Sequence, residues 1–269
     1  MRDLLSIGTS RGCEMIGVGV GLGLSGYRLP NALFSPSQIS GLQLWLDASD
    51  STTLLQSSGG SPAISDGDPV GYWGDKSGNG RHATQTDGAS KPALKTAIKN
   101  GKNTVRTDGA NDCLLLGDNF KYQEITVIAV LRVTTTGICV AFSRGGADNY
   151  NPALALVYNR STPNTSASFN SGAGGNQIIN LAITQSQFSI FRASADGATV
   201  TNITNGVSNT AAQVGALRFN TNTVTIGRID TSGLFTAADF CEIIIYNKSL
   251  GSSDWASLDT YLNKKWGVY

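Results

Sequence analysis

Glutamate is nearly missing from this 269-residue chain: only Glu14, Glu124 and Glu242 occur, far apart. Glycoside hydrolysis sets two carboxylates across the scissile bond, so a hydrolase built here would have to assemble aspartates from separate loops. Histidine is scarcer still. His82 stands alone, which excludes multi-histidine metal sites and leaves a Ser-His-Asp arrangement without independent support. Charge is sparse as well, with 14% charged residues and a net charge of +1. No strong field draws the chain to nucleic acid or to an acidic bilayer. No apolar run approaches the ~18 residues a membrane span needs. The most compact run, Met15 to Leu24, is broken by Gly17, Gly19, Gly21 and Gly23 and follows Glu14, so neither a secretory signal nor Sec export is expected. The cysteines Cys13, Cys113, Cys139 and Cys241 lack metal-ligand spacing. Three of them lie in apolar runs and read as buried thiols. Cys13 has little around it to bury it, which leaves an intermolecular disulfide as an alternative.

What is abundant is turn chemistry. There are 32 glycines, with many Thr, Ser and Asn residues, a composition of many turns and few helices. Strands are predicted at 103–107, 113–116, 124–133, 137–142, 153–158, 177–183, 188–193, 198–204 and 223–226 from β-branched and aromatic content between breakers. Asn205-Gly206 is the strongest hairpin signal. The run Cys241 to Tyr246 is almost unbroken by polar residues and reads as a strand buried on both faces, in mid-sheet. Its best-matched partner is Gly41 to Asp47, at the other end of the chain. After it, Trp255, Leu258, Leu262 and Trp266 fall at helical spacing, with Ser252 or Ser253 as N-cap and Lys264 and Lys265 in the last turn. A dozen short strands, one late helix and no βα alternation predict an all-β sandwich.

Residues 1–36 read as an extended arm and 37–269 as the sandwich. In the arm, Ile16, Val18, Val20, Leu22 and Leu24 alternate with glycine, and Tyr27 to Pro36 carries two prolines. Such a segment has one apolar face and one bare face, which suits addition to a neighbour's sheet edge.

Four segments in order carry a family likeness: LQLWLDASDSTTL from Leu42 to Leu54, GYWGDKSGNGRHATQ from Gly71 to Gln85, NGKNTVRTDGANDCLLL from Asn100 to Leu116, and EIIIYNKSL from Glu242 followed by a helix ending in KKWG. Together they resemble the laminin G-like, concanavalin A-like jelly-roll domains found in bacterial surface proteins and in virion proteins of tailed bacteriophages. The resemblance covers residues 38 to 269 and implies a jelly-roll β-sandwich; fold does not carry function. Thr107 and Cys113 stand where the family often has aromatics, so ligand contacts made by those aromatics do not carry over. The catalytic E-x-D-x-x-E string of jelly-roll glycosidases is absent.

Two loops suggest chemistry. Asp75-Lys76-Ser77-Gly78-Asn79-Gly80 matches the first half of a calcium loop, with Asp75, Ser77 and Asn79 as oxygen ligands. The bidentate carboxylate position is Thr86, however, and a turn held by Asp75 and Asn79 bonding their own backbone explains the same letters. No cofactor is otherwise expected. Asp108, Asp112 and Asp118 flank a second tight turn and read as structural. For sugar contact, Asp148, Asn149 and Tyr150 offer polar groups beside an aromatic, and Tyr72-Trp73 offers another such pair, though Trp73 also suits the core. His82 reads as a lead into a strand, so its replacement by alanine is expected to be silent.

Three functions remain. The first is a non-catalytic structural or decoration protein of a bacteriophage virion, anchored to other virion proteins or copies of itself through the arm. The second is a glycan-binding module of a phage fibre or bacterial cell surface, touching host or mucosal sugars. The last, and least favoured, is a glycoside-active enzyme.

Overall fold

The computed structural model describes residues 34–117, 119–134, 138–144, 154–159, 164–170, 176–182, 186–219, 223–229 and 234–269. Among them there are strands, three short 3-10 turns and a single α-helix, Ser252–Trp266. The predicted β-sandwich is the fold that forms. One sheet runs Val207–Ala212, Thr199–Thr204, Ser189–Ala195, Ile125–Val133, Ala237–Tyr246, Lys102–Asp108 and Ala93–Lys99, with Leu42–Asp47 also on Ala237–Tyr246. The other runs Asn176–Ala182, Asn164–Asn170, Leu154–Asn159, Ile138–Arg144, Val224–Ile226, Leu114–Leu115, Ala83–Thr84, Tyr72–Trp73 and Leu54–Leu55. All named pairings are antiparallel.

Every residue of Ala237–Tyr246 is buried, because its sheet is the middle of three layers. Ile243 and Ile245 join Val127, Ala129 and Leu131 in the core between the sheets. Ile244 and Tyr246 join Ile128, Val130 and Ile190 under Leu258, Leu262 and Trp266 of the helix. A bulge between Phe240 and Glu242 switches the alternation. Before it, Ala238 and Phe240 face the core, and Asp239 faces the other way. The strand pairs with Leu42–Asp47 as the sequence predicted, Trp45 opposite Ile244.

The helix begins after Gly251 rather than with a serine cap, and no side-chain cap bond forms. It ends at Gly267 with φ 61°, whose N–H donates to the Asn263 carbonyl. The body starts earlier than residue 37. Ser35 caps a short 3-10 turn, the Tyr246 hydroxyl donates to the Pro36 carbonyl at 2.9 Å, and the Phe34 ring meets Tyr261 at 5.9 Å. Phe34–Tyr269 is one compact unit.

Among the strands that escaped the sequence reading, two are seven residues long. Ala93–Lys99 carries lysines and a register shift, and is joined to Lys102–Asp108 through Asn100 (φ 49°) and Gly101 (φ 69°). That is the same left-handed Asn-Gly pair that closes the expected hairpin at Asn205 (φ 49°) and Gly206 (φ 80°). Asn164–Asn170 reads as polar, but Ala167 and Phe169 turn inward and are fully buried. Cys113 and Cys241 are buried free thiols, as expected. The Cys139 side chain and Cys13 lie outside the described residues. Among the described residues, no helix is long and apolar enough to cross a membrane.

Candidate functional site

The loop from Asp75 to Arg81 lies along the free edge of the Leu42–Asp47 strand and satisfies it. Asp75 Oδ1 accepts from the Trp45 and Ser77 amides at 3.0 and 2.9 Å, and Oδ2 accepts from the Ser77 hydroxyl and the Arg81 amide at 2.7 and 3.0 Å. Each carboxylate oxygen therefore takes two donors, which uses the lone pairs a cation would need. Asn79 turns its amide nitrogen to the Leu42 and Gln43 carbonyls at 3.0 and 3.3 Å. The calcium reading of Asp75, Ser77 and Asn79 gives way to the turn. The second acidic turn is built alike. Asp108 Oδ1 accepts from the amides of Ala110, Asn111 and Asp112, and Asp112 Oδ2 accepts from the Asp108 amide. Burial, with the neighbouring Asp108 charge second, pushes the Asp112 carboxyl up to about 6. Asp118 lies outside the described residues.

Beyond the loop a cleft of ≈ 570 Å³ opens. The loop supplies Asn79, Gly80, Arg81 and His82; the second sheet supplies Thr84 and Leu115, which are register partners; Leu116, Gly117, Asn119 and Thr223 complete the wall. Alternation in the sheet explains the arrangement: Ala83 and Leu114 go into the core while Thr84 and Leu115 face out. At the rim, Gly80 and Gly117 both sit at φ 69°, a backbone that non-glycine residues seldom adopt. Phe120 has φ 64° and is buried. A bulky side chain in the left-handed region is strained, and here it places the ring at 6.1 Å from Phe142 and 5.3 Å beneath the Arg81 guanidinium.

Arg81 is held at one corner of its fork. Nη1 donates to Gln43 Oε1 at 2.6 Å and to the Gln43 carbonyl at 3.1 Å, and Gln43 Oε1 also accepts from the Tyr122 hydroxyl at 2.7 Å. Among the described residues no carboxylate pairs with this guanidinium. His82 accepts the Asp75 amide on Nδ1 at 3.0 Å and lies against Tyr72, ring centroids 4.8 Å apart. Its neutral ring then carries the proton on Nε2. The cleft thus gathers hydrogen-bond donors, and none of its lining residues is acidic.

The sugar contacts read from the sequence fare differently. Trp73 is fully buried, with its indole N–H unpartnered, so it offers no face for stacking; a central position in the core claims it. Asp148, Asn149 and Tyr150 lie outside the described residues, as do the arm residues Ile16, Val18, Val20, Leu22, Leu24 and Tyr27. The sequence reading missed Arg81, Thr84, Asn119 and Thr223 as neighbours. In sequence, Arg81-His82 reads only as the lead into a strand, which Ala83–Thr84 is.

No protein-family model matches the chain, and no curated protein does either. Solved structures do. A sialidase of Trypanosoma rangeli in complex with sialic acid is 12% identical with a TM-score of 0.56, over 84% of this chain and 33% of that one. The ligand-binding domain of botulinum neurotoxin serotype D in complex with N-acetylneuraminic acid is 10% identical with a TM-score of 0.57, over 83% of this chain and 51% of that one. The binding domain of Paraclostridial Mosquitocidal Protein 1 is 11% identical with a TM-score of 0.55, over 75% and 52%. At these identities the likeness is one of fold, the lectin-like β-sandwich, and the chain spans about a third to a half of each neighbour.

Proposed function

We propose that this chain is a non-catalytic glycan-binding module, with the cleft beside Arg81 and His82 as its sugar site. The observation that carries the reading is the cleft itself. It is an open, donor-lined hollow on a lectin-like sandwich, with Leu115 and Leu116 among its lining residues and a few polar groups of the kind that fix a ligand's orientation. Solved structures that share the fold carry sialic acid or N-acetylneuraminic acid, which supports glycan binding over the particle-building role. The anchoring arm that role depends on lies outside the described residues. Binding rather than catalysis is supported by where the carboxylates go: Glu242 is sealed under the helix, and Asp75 is saturated by backbone donors.

A glycan array tests the reading. The wild-type chain is expected to give sugar-dependent signal that is lost in Thr223→Trp, which fills the cleft, and kept in Ser208→Trp, on the exposed Val207–Ala212 strand. An empty array, or signal that survives Thr223→Trp, ends the proposal.

A further inference from the structure

Resting on the glycan-binding reading and narrowing it, we propose that the cleft selects glycans bearing a carboxylate, with Arg81 as the residue that reads the charge. Other cations of the structure meet carboxylates, whereas among the described residues this guanidinium meets none. Asp239 takes both Arg106 and Arg132, and Lys76 is shared by Asp47 and Asp50. Among the described residues the acceptors of the Arg81 guanidinium are neutral, both on Gln43 and both met through Nη1. Its position is preset by the Gln43 clasp and the Phe120 ring, so little rotamer freedom remains to be lost on binding. Planar guanidinium and planar carboxylate match in a fork of parallel hydrogen bonds. His82 adds a second donor, because the Asp75 amide occupies Nδ1 and leaves Nε2–H. Thr84 and Thr223 line the same hollow and suit the hydroxyls of the sugar ring. A neutral sugar would leave the cation without a counter-charge, and a phosphate-rich polymer would call for a wider basic surface than one arginine.

Titration calorimetry with sialyllactose, a glucuronate oligosaccharide and lactose tests this. The acidic sugars are expected to bind about tenfold or more tightly than lactose, the scale of one charge-assisted hydrogen bond, and to weaken as salt rises. Arg81→Gln should erase that preference. The methyl ester of sialyllactose, tried on the wild-type protein, removes the same charge from the ligand side and needs no variant to fold; it should bind as lactose does. Preference for sialyllactose alone or for both acids supports the proposal and separates a sialic from a uronic source. If lactose and the acids bind alike, or the ester binds as well as the acid, the proposal is overturned while the glycan site stands. If no sugar binds at all, both fall together.

Discussion

Two charged regions of this molecule, one under the C-terminal helix and one at the cleft, put their charges to opposite ends. Under the C-terminal helix, Glu242 Oε1 accepts from the Trp45 indole at 2.7 Å and the Tyr261 hydroxyl at 2.8 Å, while Oε2 accepts from the Trp266 indole at 2.6 Å and Lys265 at 2.9 Å. Lys265 also reaches Asp47 at 2.7 Å. Burial raises the Glu242 carboxyl against the pull of Lys265; Asp47 is held low because Lys265, Ser49 and Lys76 together outweigh its own burial. Nearby, Arg192 is buried against Asp259 and 4.9 Å from the Trp255 ring. Every acid there has a base. At the cleft, Arg81 has no carboxylate partner among the described residues and stays within reach of solvent. Charges that answer one another fix the helix to the sheet; a charge left unanswered is free to meet a ligand.

The strongest way to break that contrast is Lys265→Met. It strands Glu242 and Asp47 together in a dry site and is expected to cost about 3–5 kcal/mol; a loss below about 1 kcal/mol in urea unfolding would show that the helix does not depend on the network. Asp75→Ala removes four hydrogen bonds along the Leu42–Asp47 edge and should cost about 2–3 kcal/mol by the same measurement. It should also weaken sugar binding, since it frees the backbone that carries Arg81 and His82.

Asp112→Asn sharpens the comparison from the other direction, because Asp112 is a carboxyl that burial holds above its ordinary value. With the folded value raised to about 6 and the unfolded one at 3.8, the unfolded chain gives up its proton first as pH rises. Stability is therefore full below pH 3.8, declines between there and about 6, and stays lowered above. Asn keeps the acceptor for the Asp108 amide without the charge, so it should gain about 1–2 kcal/mol at pH 7 and nothing at pH 3. Equal gains at both pH values would refute the linkage. The smallest stability effect is expected for Arg81→Gln, under about 1 kcal/mol, since the residue is partly exposed and has no ionic partner among the described residues to strand. A loss rivalling that of Lys265→Met would mean that Arg81 is a structural brace rather than a ligand contact.

Much of the sandwich is legible in the order of residues. The run Cys241 to Tyr246 has to lie between two apolar layers because both of its faces are apolar. Trp255, Leu258, Leu262 and Trp266 mark the helix that supplies the outer one. Asn205-Gly206 announces its hairpin through the one backbone conformation those residues favour. Asn100-Gly101 carries the same signal, but the lysine-bearing strand before it lacks an apolar stripe that would mark it as a strand. Asn164–Asn170 is hidden for a related reason: its burial depends on a neighbouring strand, not on its own hydrophobicity.

The cleft could not be read this way. Thr84, Leu115 and Thr223 are ordinary strand and loop residues in sequence, far apart along the chain. Asp75 looks like a metal ligand until the Trp45 amide, contributed by another segment, is seen to take one of its oxygens. Composition and periodicity set the layers, because burial of an apolar face depends on spacing that neighbouring residues already carry. Only the tertiary structure decided which polar groups meet, since hydrogen bonds and ion pairs are satisfied across sequence distance, and whether a charge is spent or free is known only when its neighbours are in place.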